Sequence, residues 1–404
     1  MIEPDSRASW MRLLVLVVIA TIGAVGMWSV VVTLPAVQAE FGVPRGAASL
    51  PYTLTMVGVA LGSILMGRGA DRFGVPAVVA TGAAALGLGY TGAAFASTLW
   101  EYALLHGLLI GMLGTAAVFG PLITEASHWF VRRRGLAVSI CASGSYVAGA
   151  LWPGVTEHFV LTSGWRLTEF GIGIFCAATM LPLSLLLRGP RPEAYTARPV
   201  AVSDGAPNLL GFSPNGLTLL LVIAGVCCCV AMAMPQVHIV AYCGDLGYGA
   251  ASGAQMLAAM LGCGVVSRIG SGWIADRIGG IRTLLFGSLL QALSLMLYLG
   301  FDSLASLYTI SALFGLVQGG LVPSYAIIIR ECFPAREAGM RFGFVLMATL
   351  IGMALGGWMS GVMFDMTGSY RAAFANGVLW NMLNGTVACM LMLRQRVRRR
   401  PAFG

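Results

Sequence analysis

Twelve long apolar segments, separated by short polar loops, dominate this sequence. An α-helix needs about 20 apolar residues to cross a hydrocarbon core about 30 Å thick. The predicted spans cover approximately residues 13–36, 47–67, 76–96, 99–124, 136–158, 165–187, 215–240, 251–273, 283–301, 304–329, 342–364 and 371–393. The loops between them are too short to hold a separate soluble domain, so we predict an all-α integral membrane protein.

The composition agrees with a membrane protein and excludes several other classes. Hydrophobic residues make up 58% of the chain and charged residues only 10%, against about 25% charged residues in soluble domains. An ordinary cytosolic enzyme, a disordered chain and a nucleic-acid-binding domain are therefore excluded. The consecutive thiols Cys227–Cys229 point about 100° apart on a helix and cannot converge on one ion. We predict no metal site and no cofactor.

The arginines predict the orientation of the spans. The chain has 24 basic residues, all of them arginine. With the N-terminus inside, twenty fall in inner segments, Arg268 lies within a span, and only Arg45, Arg166 and Arg371 fall outside. This bias is the positive-inside pattern, so we expect both termini in the cytoplasm. The all-arginine usage suggests a bacterial source, hence the inner membrane, and the basic tail faces anionic lipid.

The chain divides into two related halves. Residues 1–187 form the first predicted unit, 188–214 a Pro- and Arg-rich cytoplasmic linker, 215–393 the second unit, and 394–404 a basic cytoplasmic tail. The segment 67–74 (GRGADRFG) recurs as 272–279 (GWIADRIG), at an offset of 205 residues. The offset is the same for Gly164-Trp165-Arg166 and Ser369-Tyr370-Arg371. Parallel repeats of this kind occur in transporters with a site near the bilayer midplane.

The repeated G-x-x-x-D-R-x-G segment resembles the loop motif of the major facilitator superfamily. The resemblance implies two pseudo-symmetric six-helix halves that rock against each other. Small glycines let helices approach closely, and the charges of the loop are expected to stabilise one state of a gate. Alternatively, these charges only set the topology. The predicted gating residues of these loops are Gly67, Asp71, Arg72, Gly272, Asp276 and Arg277.

Two ionisable residues within spans suggest the chemistry of the substrate. Arg268 is the only arginine in a span, and His238 lies in the preceding span. A buried guanidinium with no deep carboxylate favours a small anion, because its parallel N–H groups match two carboxylate oxygens. Alternatively, Arg268 extends inward and packs against the loop at Gly272. For His238 the alternative is a helix-end histidine bonded to a backbone carbonyl.

The segments 237–247 and 267–277 resemble the monocarboxylate transporter and oxalate:formate antiporter branch of the superfamily. The resemblance implies that Arg268 binds a substrate carboxylate and that His238 lines the cavity. It also makes Asp245 a coupling or gating carboxylate, although its position fits an outer-loop turn equally well. The chain departs from the branch in having no lysine and in carrying Gly264 where animal members have an aspartate. One buried cation favours monoanions over dianions.

We therefore predict a monomeric secondary transporter of a small organic anion, most simply a monocarboxylate, driven by proton symport or anion exchange. One alternative is an exporter of drugs or hydrophobic compounds, which lacks support because span five has no G-P-x-x-G-G ending. A membrane-embedded sensor or enzyme is disfavoured, since no His, Asp or Glu cluster is expected within the spans and carboxylates such as Glu169 are assigned to span ends. The further candidates for the cavity lining are Trp28, Phe119, Tyr146, Gln318, Tyr325 and Asn381.

Overall fold

The chain forms a bundle of long helices, which a computed structural model describes over residues 4–189 and 210–399. Within these ranges there is no strand. In chain order the helices are α1 Arg7–Phe41, α2 Arg45–Phe73, α3 Val75–Ala94, α4 Leu99–Trp129, α5 Arg134–Ser163, α6 Trp165–Leu186, α7 Pro214–Asp245, α8 Ala250–Ile278, α9 Gly280–Gly300, α10 Leu304–Cys332, α11 Ala335–Thr367 and α12 Tyr370–Arg399. Each lies at the position of one predicted span, so the all-α membrane architecture is confirmed.

The helices differ in how apolar they are. Within the described ranges, eleven helical segments, α1 to α11, are long and apolar enough to cross a membrane. The twelfth, α12, is 30 residues long but carries Asn376, Asn381 and Asn384. The last two are buried inside the bundle, where polar side chains can bond to neighbouring helices. Helix α12 therefore combines the length of a span with a polar stripe turned toward the protein.

The internal repeat extends to the backbone conformation. Gly74 joins α2 to α3 with φ +83°, and Gly279 joins α8 to α9 with φ +87°. Gly42 and Gly247, also 205 residues apart, have φ +61° and +81°. These angles favour glycine because it has no Cβ. The division into two halves at residues 187 and 215 stays a prediction, since residues 190–209 of the predicted linker lie outside the described residues.

Glycines bring corresponding helices of the two halves into close contact. A Cβ at Gly62 of α2 would lie 2.0 Å from the carbonyl oxygen of Met112 in α4. A Cβ at Gly315 of α10 would lie 2.1 Å from the carbonyl oxygen of Met260 in α8. Backbones pack this closely only where small residues line the contact. The pairs α2–α4 and α8–α10 thus form equivalent walls beside the centre of the bundle.

Three helices are interrupted near the centre of the bundle. Helix α1 consists of Arg7–Gly23 and Val25–Phe41, and α10 of Leu304–Gln318 and Leu321–Cys332. Helix α4 contains a π-helical segment, His106–Thr115. π-Helical segments are rare, and those that occur are often found at functional sites. These interruptions therefore indicate a functional site at the centre of the bundle.

The two ends of the bundle are held differently. The arginine-rich face contains Arg12, Arg132 and Arg341, and the Arg45 face contains Arg45 and the helix ends around it. Within residues 4–189 and 210–399, hydrogen bonds between the first six and the last six helices lie on the Arg45 face or beside the centre of the bundle. On the arginine-rich face, Arg12 donates to Glu125 and Arg341 donates to Glu337 and Thr218, each within one set of six. The bundle is therefore latched at the Arg45 face.

Candidate functional site

A central cavity lies between the two sets of six helices. Its volume is about 110 Å³. Helices α1, α2, α4 and α5 line one side, and their repeat partners α7, α8, α10 and α11 line the other. The cavity thus lies on the pseudo-symmetry axis that the repeat predicts, where parallel-repeat transporters hold their substrates.

Arg268 supplies the charge of the cavity. Among the described residues that line it, Arg268 is the single ionised side chain. Its Nη1 donates a hydrogen bond to the carbonyl oxygen of Ala142, at 3.3 Å, and its guanidinium carbon lies 5.0 Å from the centre of the Tyr146 ring. No carboxylate whose side chain the structure describes forms an ion pair with it. A guanidinium with free donors in a cavity can bind a carboxylate.

Tyr146 occupies space that a side chain at position 264 would need. A Cβ at Gly264 would lie 2.5 Å from two carbons of the Tyr146 ring. In the animal transporters that the sequence resembles, this position one turn before the arginine carries an aspartate. Here the aromatic ring stands beside Arg268 in its place, so the guanidinium has a π face as its neighbour and remains available for an anion.

The predicted substrate residues fall into two groups. Four line the cavity, namely Trp28, Phe119, Tyr146 and Arg268. The indole Nε1 of Trp28 donates to the carbonyl oxygen of Ser145 at 3.0 Å, which fixes its ring against α5. The described lining of this cavity does not include the other four, which are His238, Gln318, Tyr325 and Asn381.

Three of the residues outside the cavity hold the last six helices together. The hydroxyl of Tyr325 donates to Oδ1 of Asn384 at 2.8 Å, and the Nδ2 of Asn381 donates to the carbonyl oxygen of Ser288 at 2.7 Å. Gln318 accepts a hydrogen bond from Gln236. These polar side chains lie in span middles as expected, and their partners are neighbouring helices rather than the cavity.

His238 is held by hydrogen bonds near the Arg45 face. Its Nε2 lies 2.8 Å from the carbonyl oxygen of Gly357, and its Nδ1 lies 3.1 Å from the hydroxyl of Tyr370. The side chain is 1% exposed. The alternative drawn from the sequence, a histidine bonded to a backbone carbonyl, describes this position.

Sequence reasoning missed Gln236 as a lining residue. It lies on α7 at the cavity, and its Oε1 has no hydrogen-bond partner among the described residues. The signal was present, because Gln236 is a lone amide in the long apolar run of α7. Ser145 and Thr349 also line the cavity, but small hydroxyl side chains are common in spans and gave no sequence signal.

Arg45 forms the centre of the latch between the two sets of six helices. Its Nη1 and Nη2 donate to the two carboxylate oxygens of Asp245 at 2.7 and 3.2 Å, and Nη1 also donates to the hydroxyl of Tyr370 at 2.8 Å. Asp365 accepts the backbone N–H groups of Arg45 and Gly46 at 2.7 Å each. Asp245 is thus part of an interhelical ion pair, and its arginine partner was not identified from the sequence.

The loops of the G-x-x-x-D-R-x-G motif lie on the arginine-rich face. Arg72 stacks on Phe73 at 5.2 Å and Arg277 on Trp273 at 3.3 Å, measured from the guanidinium carbon to the ring centre. The expected pairing of both arginines with carboxylates is not found within the described residues. Asp71 is exposed, and the side chain of Asp276 lies outside the described part of the chain.

The glycines of this motif are not needed for close packing in this conformation. A Cβ at Gly67 or at Gly272 would meet no heavy atom within 4 Å. The expectation that both let helices approach closely is wrong for the conformation described, because the neighbouring helices are not close to either position. A gating role for the motif charges stays a prediction.

Glu169 lies near a span end as predicted, but the expectation that no His, Asp or Glu cluster lies within the spans is wrong. Glu169 is the fifth residue of α6, but its side chain is 0% exposed and lies 3.4 Å from Nε2 of the equally buried His106. A His–Glu pair therefore exists inside the first six helices. The helical spacing could have revealed it, because Glu169 continues the buried stripe of Trp165, Ile172 and Cys176.

The comparisons with known proteins identify the family. The family model of the Major Facilitator Superfamily matches residues 16–302 and 265–403, which together cover most of the chain. The chain belongs to the major facilitator superfamily. Members of this family are transport proteins rather than enzymes, so the prediction that the chain is not an enzyme is confirmed.

Relatives and solved structures are similar over most of the length. The chain is 29% identical to monocarboxylate transporter 13 of Bos taurus over 335 residues, which cover 81% of this chain and 75% of the relative. It is 29% identical to monocarboxylate transporter 11 of Mus musculus, covering 75% and 69%. The inward-facing, occupied structure of a bacterial homologue of the human lysosomal transporter Spinster has a TM-score of 0.72 at 15% identity, covering 97% and 98%. The resemblance to monocarboxylate transporters is confirmed at the level of similarity.

Proposed function

We propose that this transporter carries a small organic monocarboxylate by alternating access, with Arg268 as the anion site. The observation that carries the proposal is a lone, half-buried guanidinium in the central cavity, with no carboxylate partner among the side chains that the structure describes. A bound carboxylate would take both its charge and its free N–H donors. The similarity to monocarboxylate transporters 13 and 11 supports the same substrate class.

The size and charge of the cavity support a small anion over a drug. Its volume of about 110 Å³ is well below the roughly 300–1,000 Å³ of pockets for drug-sized ligands. No carboxylate is available among the described lining residues to receive a cationic drug. An exporter of large hydrophobic compounds, the alternative from the same superfamily, has less support from these features.

We further propose that the arginine-rich face lies in the cytoplasm of a bacterial cell, with both termini there and the chain acting as a monomer in the inner membrane. The positive-inside pattern supports this orientation. The Arg45 face is then the outer face, and its latch closes the cavity to the outside. Either proton symport or exchange against a second anion would drive the cycle.

A thermal-shift screen of the purified protein tests the proposal. Monocarboxylates such as lactate and pyruvate, dicarboxylates, and cationic and neutral drugs are titrated against the wild type and Arg268→Gln. Charge-assisted hydrogen bonds contribute about 1.5–3 kcal/mol each, so selective stabilisation by a monocarboxylate should disappear in the variant. Arg282→Gln, which removes the same charge at an exposed position, should respond like the wild type. Stabilisation by a cation, or by an acid equally in Arg268→Gln, would overturn the assignment.

A further inference from the structure

A second ionisable site lies inside the first six helices, apart from the cavity. The Oε1 of Glu169 accepts a hydrogen bond from the hydroxyl of Tyr102 at 2.8 Å, and Oε2 lies 3.4 Å from Nε2 of His106. Both Glu169 and His106 are 0% exposed. The Nδ1 of His106 has no hydrogen-bond partner among the described residues. An ionisable pair that is buried in a membrane protein and has an unbonded ring nitrogen is a candidate functional site.

The surroundings of this pair are polar but uncharged. Hydroxyl groups extend the cluster toward α1 and α3, where Thr33 lies 3.2 Å from Tyr102 and Ser29 lies 2.6 Å from Tyr90. The ion pair of Glu40 with Arg166 is exposed at the Arg45 face, and the Trp165 ring lies between Glu40 and Tyr102. The titratable groups that pack against His106 are Tyr90 from α3 and Tyr102 from α4. Cys176 is buried on the same helix as Glu169, and Glu40 and Arg166 lie at the rim.

A second buried glutamate in the first six helices, Glu125, has an arginine as its partner and serves as a comparison. Glu125 is 1% exposed and pairs with Arg12, whose Nη2 lies 2.7 Å away. Arginine stays protonated at every physiological pH, so that pair holds its charge permanently. Glu169 has no arginine hydrogen-bonded to it within the described residues and is paired instead with histidine, the side chain that titrates near neutral pH. The two buried glutamates therefore differ in partner, a permanent cation for Glu125 and an imidazole for Glu169.

The charges of the two sites balance in only two combinations. With the cavity empty, Arg268 carries +1, and the Glu169–His106 pair without a shared proton carries −1. A bound monoanion neutralises Arg268, and one bound proton neutralises the pair. Binding only the proton leaves +1 on the two sites together, and binding only the anion leaves −1. Uncompensated charge inside a membrane protein is costly, so the empty and the doubly loaded states are the ones that can close.

The backbone connects the two sites directly. The π-helical segment of α4 begins at His106 and ends at Thr115, and Thr115 lines the central cavity. The Oγ1 of Thr115 donates to the carbonyl oxygen of Gly23 at the interruption of α1. Ten residues of π-helix therefore join the two sites, and a change in backbone conformation at His106 can move Thr115 at the cavity.

We propose that Glu169 and His106 together bind the proton that accompanies the anion. One proton from water binds to the pair, which passes from −1 to neutral and shares that proton between the carboxylate and the imidazole. The proton leaves to water when the pair is next hydrated. The coupling role rests on the proposed carboxylate transport, whereas the protonation site itself does not depend on the substrate.

Infrared difference spectroscopy tests the protonation site without any substrate. A pH change applied to the purified wild-type protein should produce a carboxylic C=O absorption change, which Glu169→Gln should lack. Glu157→Gln is the matched control, because Glu157 is a buried glutamate of the same half that no histidine or tyrosine contacts among the described hydrogen bonds. The control should keep the Glu169 band. A spectrum for Glu169→Gln identical to that of the wild type would overturn the proposal.

Transport in proteoliposomes tests the coupling, with lactate as the probe. Wild-type uptake should rise severalfold when the side from which lactate enters is acidified. Glu169→Gln should lose at least 80% of the acid stimulation that the wild type shows, and His106→Gln should shift the pH of half-stimulation. Unchanged acid stimulation in Glu169→Gln would refute the coupling role. If the wild type carries no lactate while the infrared band is lost in Glu169→Gln, the proposed substrate fails and the proton site remains.

Discussion

The latch at the Arg45 face provides a quantitative test of the closed conformation. Asp245→Asn removes the charge that Arg45 meets through two hydrogen bonds of 2.7 and 3.2 Å, while keeping the size of the side chain. Arg45 keeps its bonds to Gln38 and to Tyr370, so the variant isolates the contact with Asp245.

The size of the effect follows from the exposure of the two partners. The Arg45 side chain is 10% exposed and that of Asp245 is 35% exposed. Fully exposed pairs contribute about 0–1 kcal/mol, whereas a charged hydrogen bond in a buried setting contributes about 1.5–3 kcal/mol. We therefore expect a loss of about 1.5 kcal/mol from the closed state, which increases the open population about tenfold.

Hydrogen–deuterium exchange measured by mass spectrometry detects this opening. The peptide that covers Arg45 and Gly46 should exchange about tenfold faster in Asp245→Asn, because the amides of these two residues donate to Asp365 across the latch. Glu40→Gln is the control, since Glu40 pairs with Arg166 on the same face but within the first six helices. Equal exchange in Asp245→Asn and the wild type, or the same acceleration in Glu40→Gln, would refute the account of the latch.

Three further predictions concern packing, the cavity and pH. Gly62→Ala places a Cβ 2.0 Å from the Met112 carbonyl oxygen and should destabilise the protein by about 1–3 kcal/mol; Gly67→Ala meets nothing and should keep the wild-type melting temperature. Tyr146→Leu removes the cation–π contact, worth about 1 kcal/mol, and should weaken lactate binding about fivefold in calorimetry, whereas the Phe variant should not. Burial acts to raise the pKa of Asp5, but backbone N–H donors outweigh it and hold this pKa below its usual 3.8. The stability that these bonds contribute is present above pH 3.8 and is lost as the pH falls through the lowered pKa. The Tm difference between the wild type and Asp5→Asn should therefore shrink on acidification.

The fold could be predicted because apolar length and repetition are local signals. Each span is recognisable as a run of about 20 apolar residues, and the repeat offset of 205 residues can be read from the sequence alone. The same repeat predicted that Gly74 and Gly279 occupy equivalent turns, where both adopt a positive φ. Arg268 was recognised as the only arginine in a predicted span, and it lines the cavity between the two sets of helices.

The polar contacts could not be predicted in the same way, because they depend on which helix faces are neighbours. Gln318 and Gln236 look alike in the sequence, but only Gln236 is among the described lining residues of the cavity. Asp245 was recognised, but Arg45 lies 200 residues away in the chain and has no sequence feature that joins it to Asp245. Glu169 was assigned to a span end from its distance to the loop, although its helical face points into the bundle.

Isothermal titration of a monocarboxylate into the protein in nanodiscs tests the central role of Arg268 most directly. Wild type, Arg268→Lys and Arg268→Gln are compared with the exposed control Arg282→Gln. We predict saturable lactate or pyruvate binding to the wild type and the control, weaker binding to Arg268→Lys because an ammonium lacks the two parallel donors, and at least tenfold weaker binding to Arg268→Gln. Equal affinity in Arg268→Gln and the wild type would show that the anion binds elsewhere.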